Sequence, residues 1–201
     1  MNLSRHVERP FRNQNSGFSL AEVVIALSIF TITVLVLHGS ISLAKLAFYN
    51  QVDRSKAEQN VKHTLEIMAR DLREAKQGMN PITCTTADYD NPQNICIKTS
   101  SSSAVLSFKV PESTNHDTEN TSYKTIRYDW TTSWGPYRRT IRRTEISSIG
   151  AASAPVIIGR DITAVSFSHS TNTIRLNLTS QNYTHSMNSS QSMMVYLRNN
   201  T

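Results

Sequence analysis

The sequence predicts an α+β protein in which one long N-terminal helix packs its second half on an antiparallel β-sheet. Three observations lead to this fold class. An uninterrupted apolar run opens the helical region, and a helical spacing of apolar residues follows it. Beyond Gly78 the composition shifts to serine, threonine and asparagine, with short alternating runs between polar stretches. Helical periodicity followed by strand periodicity is typical of an α+β arrangement.

The apolar run extends from Phe18 to Leu37 and contains one ionisable group, Glu22. A helix rises about 1.5 Å per residue, so these twenty residues cover about 30 Å, the thickness of a bilayer's hydrocarbon core. We therefore predict a transmembrane segment at residues 18–40. A carboxylate within such a segment is costly and needs a partner, which marks Glu22 as a candidate functional residue.

The second half of the predicted helix is amphipathic. Its apolar positions recur at intervals of three and four, which places them on one helix face; they are Ala57, Val61, Leu65, Met68, Leu72 and Ala75. Gly78 can cap the helix end and Pro81 prevents its continuation, so we expect one helix over residues 18–77, with 41–77 as the amphipathic part. Gly39 indicates either a local bend or a close helix contact.

Residues 78–201 are predicted to form a β-rich domain. Alternating apolar and polar positions mark strands with one buried face. Polar loops separate these strands, among them Ser180–Gln191. The predicted strands are Ala104–Val110, Tyr123–Trp130, Tyr137–Ile146, Val156–Ile158, Thr163–His169, Thr173–Leu178 and Ser192–Leu197.

Residues 1–17 form a short basic leader that carries Arg5, Arg9 and Arg12 against Glu8. Positive charge before a membrane span favours the cytoplasmic side, so we expect the N-terminus in the cytoplasm and the main domain outside. The formal net charge of the chain is +6, and without the leader it falls to +4. Such an excess suits nucleic acid or anionic lipid but does not by itself identify a partner.

The two cysteines, Cys84 and Cys96, have eleven residues between them. The predicted topology places them outside the cytoplasm, where thiols tend to be oxidised. A disulfide is the favoured state and two free thiols the alternative; loop closure of this length gives a stabilisation of about 2–3 kcal/mol. Metal binding is not expected, because neither a CxxC spacing nor a histidine cluster is present in the sequence.

Four arginines form the strongest basic cluster of the chain: Arg138, Arg139, Arg142 and Arg143. On one continuous strand, Arg138 and Arg142 would share one face while Arg139 and Arg143 share the other. Aromatic residues lie near them in sequence, and basic and aromatic side chains together can bind single-stranded nucleic acid. A solvated edge strand with aromatics packed beneath it has the same composition. Both interpretations remain open.

The sequence contains no recognisable catalytic motif. It lacks G-x-S-x-G, a P-loop and a glycine-rich dinucleotide fingerprint. The six histidines are scattered, and none stands at metal-ligand spacing from another. We therefore expect neither an enzyme nor a cofactor.

The segment Ser16–Glu22 (SGFSLAE) resembles the processing site of type IV prepilins and of the pseudopilins of type II secretion. The resemblance implies cleavage between Gly17 and Phe18 by a prepilin peptidase, which also methylates the new N-terminus to give N-methylphenylalanine. An ordinary secretory signal would instead have its apolar region before the cut. Glu22 becomes the fifth mature residue, and the resemblance suggests the Phe18 amine of a neighbouring subunit as its partner. A contact with the amine of its own chain, and a carboxylate that only reaches the lipid headgroups, are the alternatives.

Weaker similarities point to a minor subunit. Met68–Ala75 (MARDLREA) resembles the end of the first helix in J-type minor pseudopilins and W-type minor pilins. The chain length also fits these types. Other similar segments follow in the same order, namely Ile126–Tyr128, Tyr137–Arg139, Ile157–Ile162, Val165–Phe167 and Val195–Asn199.

The resemblance implies a minor pilin or pseudopilin that primes or joins a filament. Its expected location is the bacterial cytoplasmic membrane as a single-pass protein, and the pilus or pseudopilus after assembly. The expected partners are the prepilin peptidase and methyltransferase, other pilin or pseudopilin subunits, the inner-membrane assembly platform and membrane lipid. The alternative is a minor pilin that acts as a binding module for DNA or for a surface.

Overall fold

The computed structural model describes residues 17–76, 78–85, 89–112, 122–133, 135, 139–182 and 187–197. The chain divides after Ala47 into two compact units. A helix, α1, extends over Leu20–Arg73. Strands follow in the second unit: β1 (Pro81–Thr83), β2 (Ile95–Thr99), β3 (Ser103–Pro111), β4 (Tyr123–Thr131), β5 (Ile141–Ile146), β6 (Val156–Gly159), β7 (Ile162–Ser170), β8 (Thr173–Asn182) and β9 (Met187–Tyr196).

The first part of α1 is apolar and exposed. Every residue from Leu20 to Tyr49 has an exposed side chain, as the predicted transmembrane segment requires. The helix continues through Gly39, and a Cβ placed there would meet no atom within 4 Å. The glycine therefore makes no close contact with another part of the described chain.

The second part of α1 carries the predicted buried stripe. Residues Val61, Leu65, Met68 and Leu72 are each at most 1% exposed, and Ala75 is half-buried against the same core. The stripe prediction is confirmed. The helix ends at Arg73, four residues before the predicted end, because its last turn tightens: the Ala75 amide donates to the Leu72 carbonyl at 3.2 Å.

The strands form two sheets where the sequence predicted one. The first sheet has the order β1-β2-β3-β4-β5-β6 and the second β7-β8-β9. All pairs are antiparallel except β1 with β2, which is parallel. The chain leaves the first sheet at Gly159 and enters the second at Ile162, through Asp161 with φ 57°. The chain therefore passes from one sheet to the other within two residues.

Several strand boundaries also differ from the prediction. The short strands β1 and β2 were not predicted, and β5 begins at Ile141 instead of Tyr137. Arg139 has φ 56°, a left-handed conformation that a strand does not accommodate. The predicted loop Ser180–Gln191 is partly strand, since β8 extends to Asn182 and β9 begins at Met187.

The α+β class is confirmed, and the second unit has one main core. The stripe of α1 packs with buried residues of both sheets, including Leu106, Phe108, Ile126 and Leu176. The backbone of β6 approaches α1 closely at Gly159, where an added Cβ would lie 2.7 Å from Thr64 Oγ1. Thr64 Oγ1 also donates to the carbonyl of Ile158, the residue before Gly159 in β6, at 3.1 Å.

Candidate processing and assembly site

The beginning of α1 is closed by a reciprocal cap between Ser19 and Glu22. The Ser19 amide donates to Glu22 Oε2 at 2.8 Å, and the Ser19 hydroxyl donates to the same oxygen at 3.1 Å. The Glu22 amide in turn donates to Ser19 Oγ at 3.3 Å. This S-x-x-E capping box satisfies N–H groups that a helix end leaves without partners. The S-x-x-E spacing is visible in the sequence, but the partners predicted for Glu22 were only the Phe18 amine of a neighbouring subunit or of the same chain, or the lipid headgroups.

The cap lies entirely on the C-terminal side of the Gly17–Phe18 bond. Phe18 is 87% exposed and Gly17 is exposed too. Within the described residues, the bond between them is therefore accessible to solvent. Both hydrogen bonds from Ser19 reach Oε2 of Glu22. A carboxylate has acceptor sites on both oxygens, so Oε1 can accept another donor without loss of the cap. Residues 1–16 of the predicted leader lie outside the described residues.

The helix that follows this cap is long and apolar enough, by length and composition, to cross a membrane. None of the residues in its most apolar window is buried by another part of the described chain. Serine and threonine side chains in this stretch donate to carbonyls four residues earlier, for example Ser28 to Val24 at 2.8 Å. These bonds satisfy hydroxyl groups within the helix itself, as an apolar solvent requires.

Cys84 and Cys96 form a disulfide, with their Cα atoms 5.2 Å apart, as the sequence favoured. Both cysteines are buried beside Tyr89 in a small cluster, against which Val105 packs. The disulfide connects Cys84, the first residue after β1, with Cys96 in β2. It therefore closes the loop between the two strands that pair in parallel at one end of the first sheet.

The basic cluster does not form the predicted arrangement on one strand. Arg139 lies in the turn before β5, while Arg142 and Arg143 are consecutive residues of β5. Arg138 lies outside the described residues. Arg143 is held by two carboxylates, with its Nε donating to Asp71 at 2.6 Å and its terminal nitrogen to Glu145. Binding of nucleic acid by this cluster stays a prediction.

Asp71 is a buried acid that joins α1 to the first sheet. It is 4% exposed, and its Oδ2 accepts hydrogen bonds from the Tyr128 hydroxyl and from Arg143, both at 2.6 Å. Glu145 continues the network and accepts from Lys124 at 2.9 Å. Sequence reasoning missed Asp71, because a charge beside Arg70 resembles an ordinary helix surface residue. Its place among the stripe residues Met68 and Leu72 was the available signal.

The network shifts the pKa values of its members. Burial, followed by the charge of Asp71, raises the pKa of Tyr128 and keeps its hydroxyl a donor. Burial tends to lower the pKa of Arg143, but hydrogen bonds to Asp71 and Glu145 raise it overall. Hydrogen bonds from Lys124 and Arg143 lower the pKa of Glu145. A lowered carboxyl pKa means that the stabilisation is present at neutral pH and is lost as the pH falls through that pKa.

A family comparison matches the N-terminal segment of the chain. The model of the prokaryotic N-terminal methylation motif matches residues 12–37, which include Gly17, Phe18, Ser19 and Glu22. This motif is the signature of type IV pilins and pseudopilins. Searches among curated proteins and among solved structures find no match. Residues 12–37 therefore carry the type IV pilin and pseudopilin signature, in a chain whose described residues form an exposed apolar helix and an α+β, pilin-like fold.

Proposed function

We propose that the protein is a minor pilin or pseudopilin, a structural subunit that primes or joins a membrane-anchored filament. Cleavage between Gly17 and Phe18 and N-methylation of Phe18 precede its assembly. The observation that carries this proposal is the position of the methylation motif, residues 12–37, directly over the start of an exposed apolar helix. The motif supplies the processing site, and the helix supplies the part of the subunit that a membrane or a filament core can cover.

The cap supports processing at this bond. All three of its hydrogen bonds join Ser19 and Glu22, so removal of residues 1–17 leaves α1 with its N-terminal partners. Cleavage adds one charge, the amine of Phe18, close to an apolar helix. Such a charge needs a partner when it leaves water. In the proposed filament, Glu22 Oε1 accepts from the Phe18 amine of a neighbouring subunit.

The assignment to a minor subunit rests on the segment Met68–Ala75. In this protein the segment has a structural task, because Met68, Asp71 and Leu72 are buried between α1 and the sheets. The proposed location is the bacterial cytoplasmic membrane, with the N-terminus in the cytoplasm and the main domain outside. The proposed partners are the prepilin peptidase and methyltransferase, other pilin-like subunits, the assembly platform and lipid.

Processing is tested by the intact mass of the chain extracted from membranes of cells with an active prepilin peptidase. We expect a chain that begins at methylated Phe18. Replacement Gly17→Glu should leave the precursor uncut, while Gly17→Ala is expected to allow partial cleavage. Nothing lies within 4 Å of a Cβ at Gly17, so neither variant disturbs the described fold. Recovery of wild-type chain with Met1–Gly17 attached, despite active peptidase, would contradict the proposal.

The role of Glu22 in assembly is tested with two variants that separate the cap from the charge. Ser19→Ala removes the capping hydroxyl and keeps the carboxylate, whereas Glu22→Ala removes the carboxylate. We expect crosslinking between the N-termini of neighbouring subunits to persist in the first variant and to be lost in the second. The unfolding transition of the β-domain should be unchanged in both. Equal crosslinking in Glu22→Ala and wild type would leave Glu22 without this role.

A further inference from the structure

In the described part of the chain, three of the four sheet edges are protected against pairing with another chain. Strand β1 has three residues and begins with Pro81, and β6 has four residues and follows Pro155. Strand β7 is covered at Phe167, whose amide donates to Thr99 Oγ1 at 3.1 Å and whose carbonyl accepts from the same hydroxyl at 3.4 Å. Short strands, prolines and covering groups are the usual means of blocking an edge.

The fourth edge, β9, shows none of these protections among the residues that the structure describes. Its ten residues, Met187–Tyr196, include neither a charged residue nor a proline. Its pairing with β8 is regular from Thr173↔Tyr196 to Asn182↔Met187, with no bulge. Among the described strands, β8 is the only one that pairs with β9. A long, regular and uncharged edge is a template for strand addition.

The outward groups of β9 follow from its pairing with β8. The Leu197 amide donates to the Asn172 carbonyl at 2.9 Å. In an antiparallel ladder every second residue bonds to the neighbouring strand, so this bond shows which residues of β9 bond to β8. Odd-numbered residues of β9 therefore bond to β8, and the even-numbered residues direct their N–H and C=O groups away from it. The even-numbered residues are Asn188, Ser190, Ser192, Met194 and Tyr196.

We propose that the β9 edge pairs with β9 of a second copy of this chain, antiparallel and centred on Ser192. This register aligns residues 188–196 of the two copies and matches the outward groups of one strand with those of the other. Residues facing each other across the new pair share a sheet face, with Ser192 opposite Ser192, Ser190 opposite Met194 and Asn188 opposite Tyr196. The result is one six-stranded sheet, built from β7-β8-β9 of both copies.

Charge favours a second copy as the occupant. No pair across the new interface sets like charges against each other, since β9 is uncharged. Among the described residues of this sheet, the nearest charge on the exposed face is Arg175 of β8, which pairs with Met194. The two copies of Arg175 are separated by at least three inter-strand spacings, about 14 Å, which exceeds the Debye length of about 8 Å at physiological salt.

A single strand pair is a small interface, below the standard size of about 1,600 Å². The contact is therefore weak in dilute solution and favoured where copies are concentrated in one membrane. For this reason the test uses the full chain in membranes. It does not require cleavage of the leader, so failure of the proposed function and failure of this pairing are distinguishable.

The experiment introduces Ser192→Cys into the full chain, expressed in a host without other pilin-like proteins, and treats membranes with a short bismaleimide. We expect a covalent dimer of the chain. Ser168→Cys, an exposed serine of β7 in the same sheet, is the matched control for random collision and should give far less dimer. Peptide mapping verifies that Cys84 and Cys96 remain joined in both variants.

A second pair of variants tests the role of the backbone. In the Ser192→Cys chain, Ser190→Pro removes an outward N–H group, whereas Ser190→Ala removes only the hydroxyl. We expect the dimer yield to fall to the Ser168→Cys level with proline and to persist with alanine. Equal yields from Ser192→Cys and Ser168→Cys, or full yield with Ser190→Pro, would overturn the proposal. Crosslinking of Ser192→Cys to a different protein in place of a second copy would overturn it as well.

Discussion

The two parts of α1 belong to one continuous helix but meet different surroundings. Before Tyr49 its side chains are exposed on every face, and hydroxyl groups such as those of Ser28 and Thr31 donate to carbonyls of the helix itself. After Ala57 it is amphipathic and buries a stripe in the core of the second unit. A helix that is apolar all round requires an apolar solvent, whereas an amphipathic helix is stabilised by what its apolar face contacts.

The comparison shows where the stability of each part comes from. In the second part, the helix is stabilised by tertiary contacts of its apolar face with strands far along the chain. In the first part, the apolar side chains are exposed, so tertiary packing contributes little to the stability of that part. Substitutions in the two parts should therefore differ in their effect on unfolding of the β-domain.

The largest expected difference in the free energy of unfolding is between the alanine variants of two leucines in the same helix. Leu65 is 1% exposed and Leu35 is 66% exposed. Leu65→Ala should lower the free energy of unfolding of the β-domain by about 2–5 kcal/mol, because it leaves a cavity in the core. Leu35→Ala should leave it unchanged. Chemical denaturation of both variants in detergent, followed by the tryptophan signal, provides the measurement. Equal losses would show that the two parts do not differ as described.

The next largest effect is expected at Asp71. Asp71→Ala removes the acceptor shared by Tyr128 and Arg143 and should cost about 3 kcal/mol, at the lower end for a broken buried pair because Arg143 is partly exposed. Asp71→Asn keeps an acceptor for Tyr128 and should cost less. The control is Glu58→Ala, which breaks an exposed pair with Arg54 on the same helix. The same denaturation measurement should give about 0–0.5 kcal/mol for that control, and a larger loss there would contradict the interpretation.

A smaller effect is expected from a methyl group at the close approach of β6 to α1. Gly159→Ala places a Cβ 2.7 Å from Thr64 Oγ1, so strand or helix must move, at a cost of about 1–3 kcal/mol. Gly39→Ala in the first part of α1 is the matched control, since a Cβ there meets no atom within 4 Å. The measurement is the melting temperature of the β-domain. If Gly159→Ala lowers it no more than Gly39→Ala does, a tight contact between β6 and α1 is ruled out.

Much of the fold could be predicted from the sequence because periodicity reports burial. The spacing of Val61, Leu65, Met68 and Leu72 predicted the buried face of α1, and alternation located β3 and β4 to within one residue at each end. The strands β1 and β2 escaped detection because they are short and their neighbours are irregular. The first half of β9 shows no alternation of apolar and polar residues, because residues 188–192 are serine, asparagine and glutamine, which resemble a loop.

The features of the fold that were not predicted depend on backbone conformation and on contacts between residues distant in sequence, which periodicity does not encode. The left-handed residues Arg139 and Asp161 lie before β5 and between the two sheets, yet neither is glycine, the usual signal. Asp71 contacts Tyr128 and Arg143, 57 and 72 residues further along the chain. At the candidate site, the motif predicted the cleavage position, whereas the hydrogen bonds between Ser19 and Glu22 became apparent only in the structure.

The chain order of the buried Asp71 network has a consequence for biosynthesis. A ribosome delivers α1 first, and Asp71 then lacks both of its hydrogen-bonding partners until β4 and β5 have emerged, because Tyr128 and Arg143 come 57 and 72 residues later. During that interval the core around the stripe of Val61, Leu65 and Met68 is incomplete, and its apolar surface is accessible to other binders. Prolonging the interval, for example with slowly translated codons between Gly78 and Tyr123, should increase the dependence of the nascent protein on chaperones.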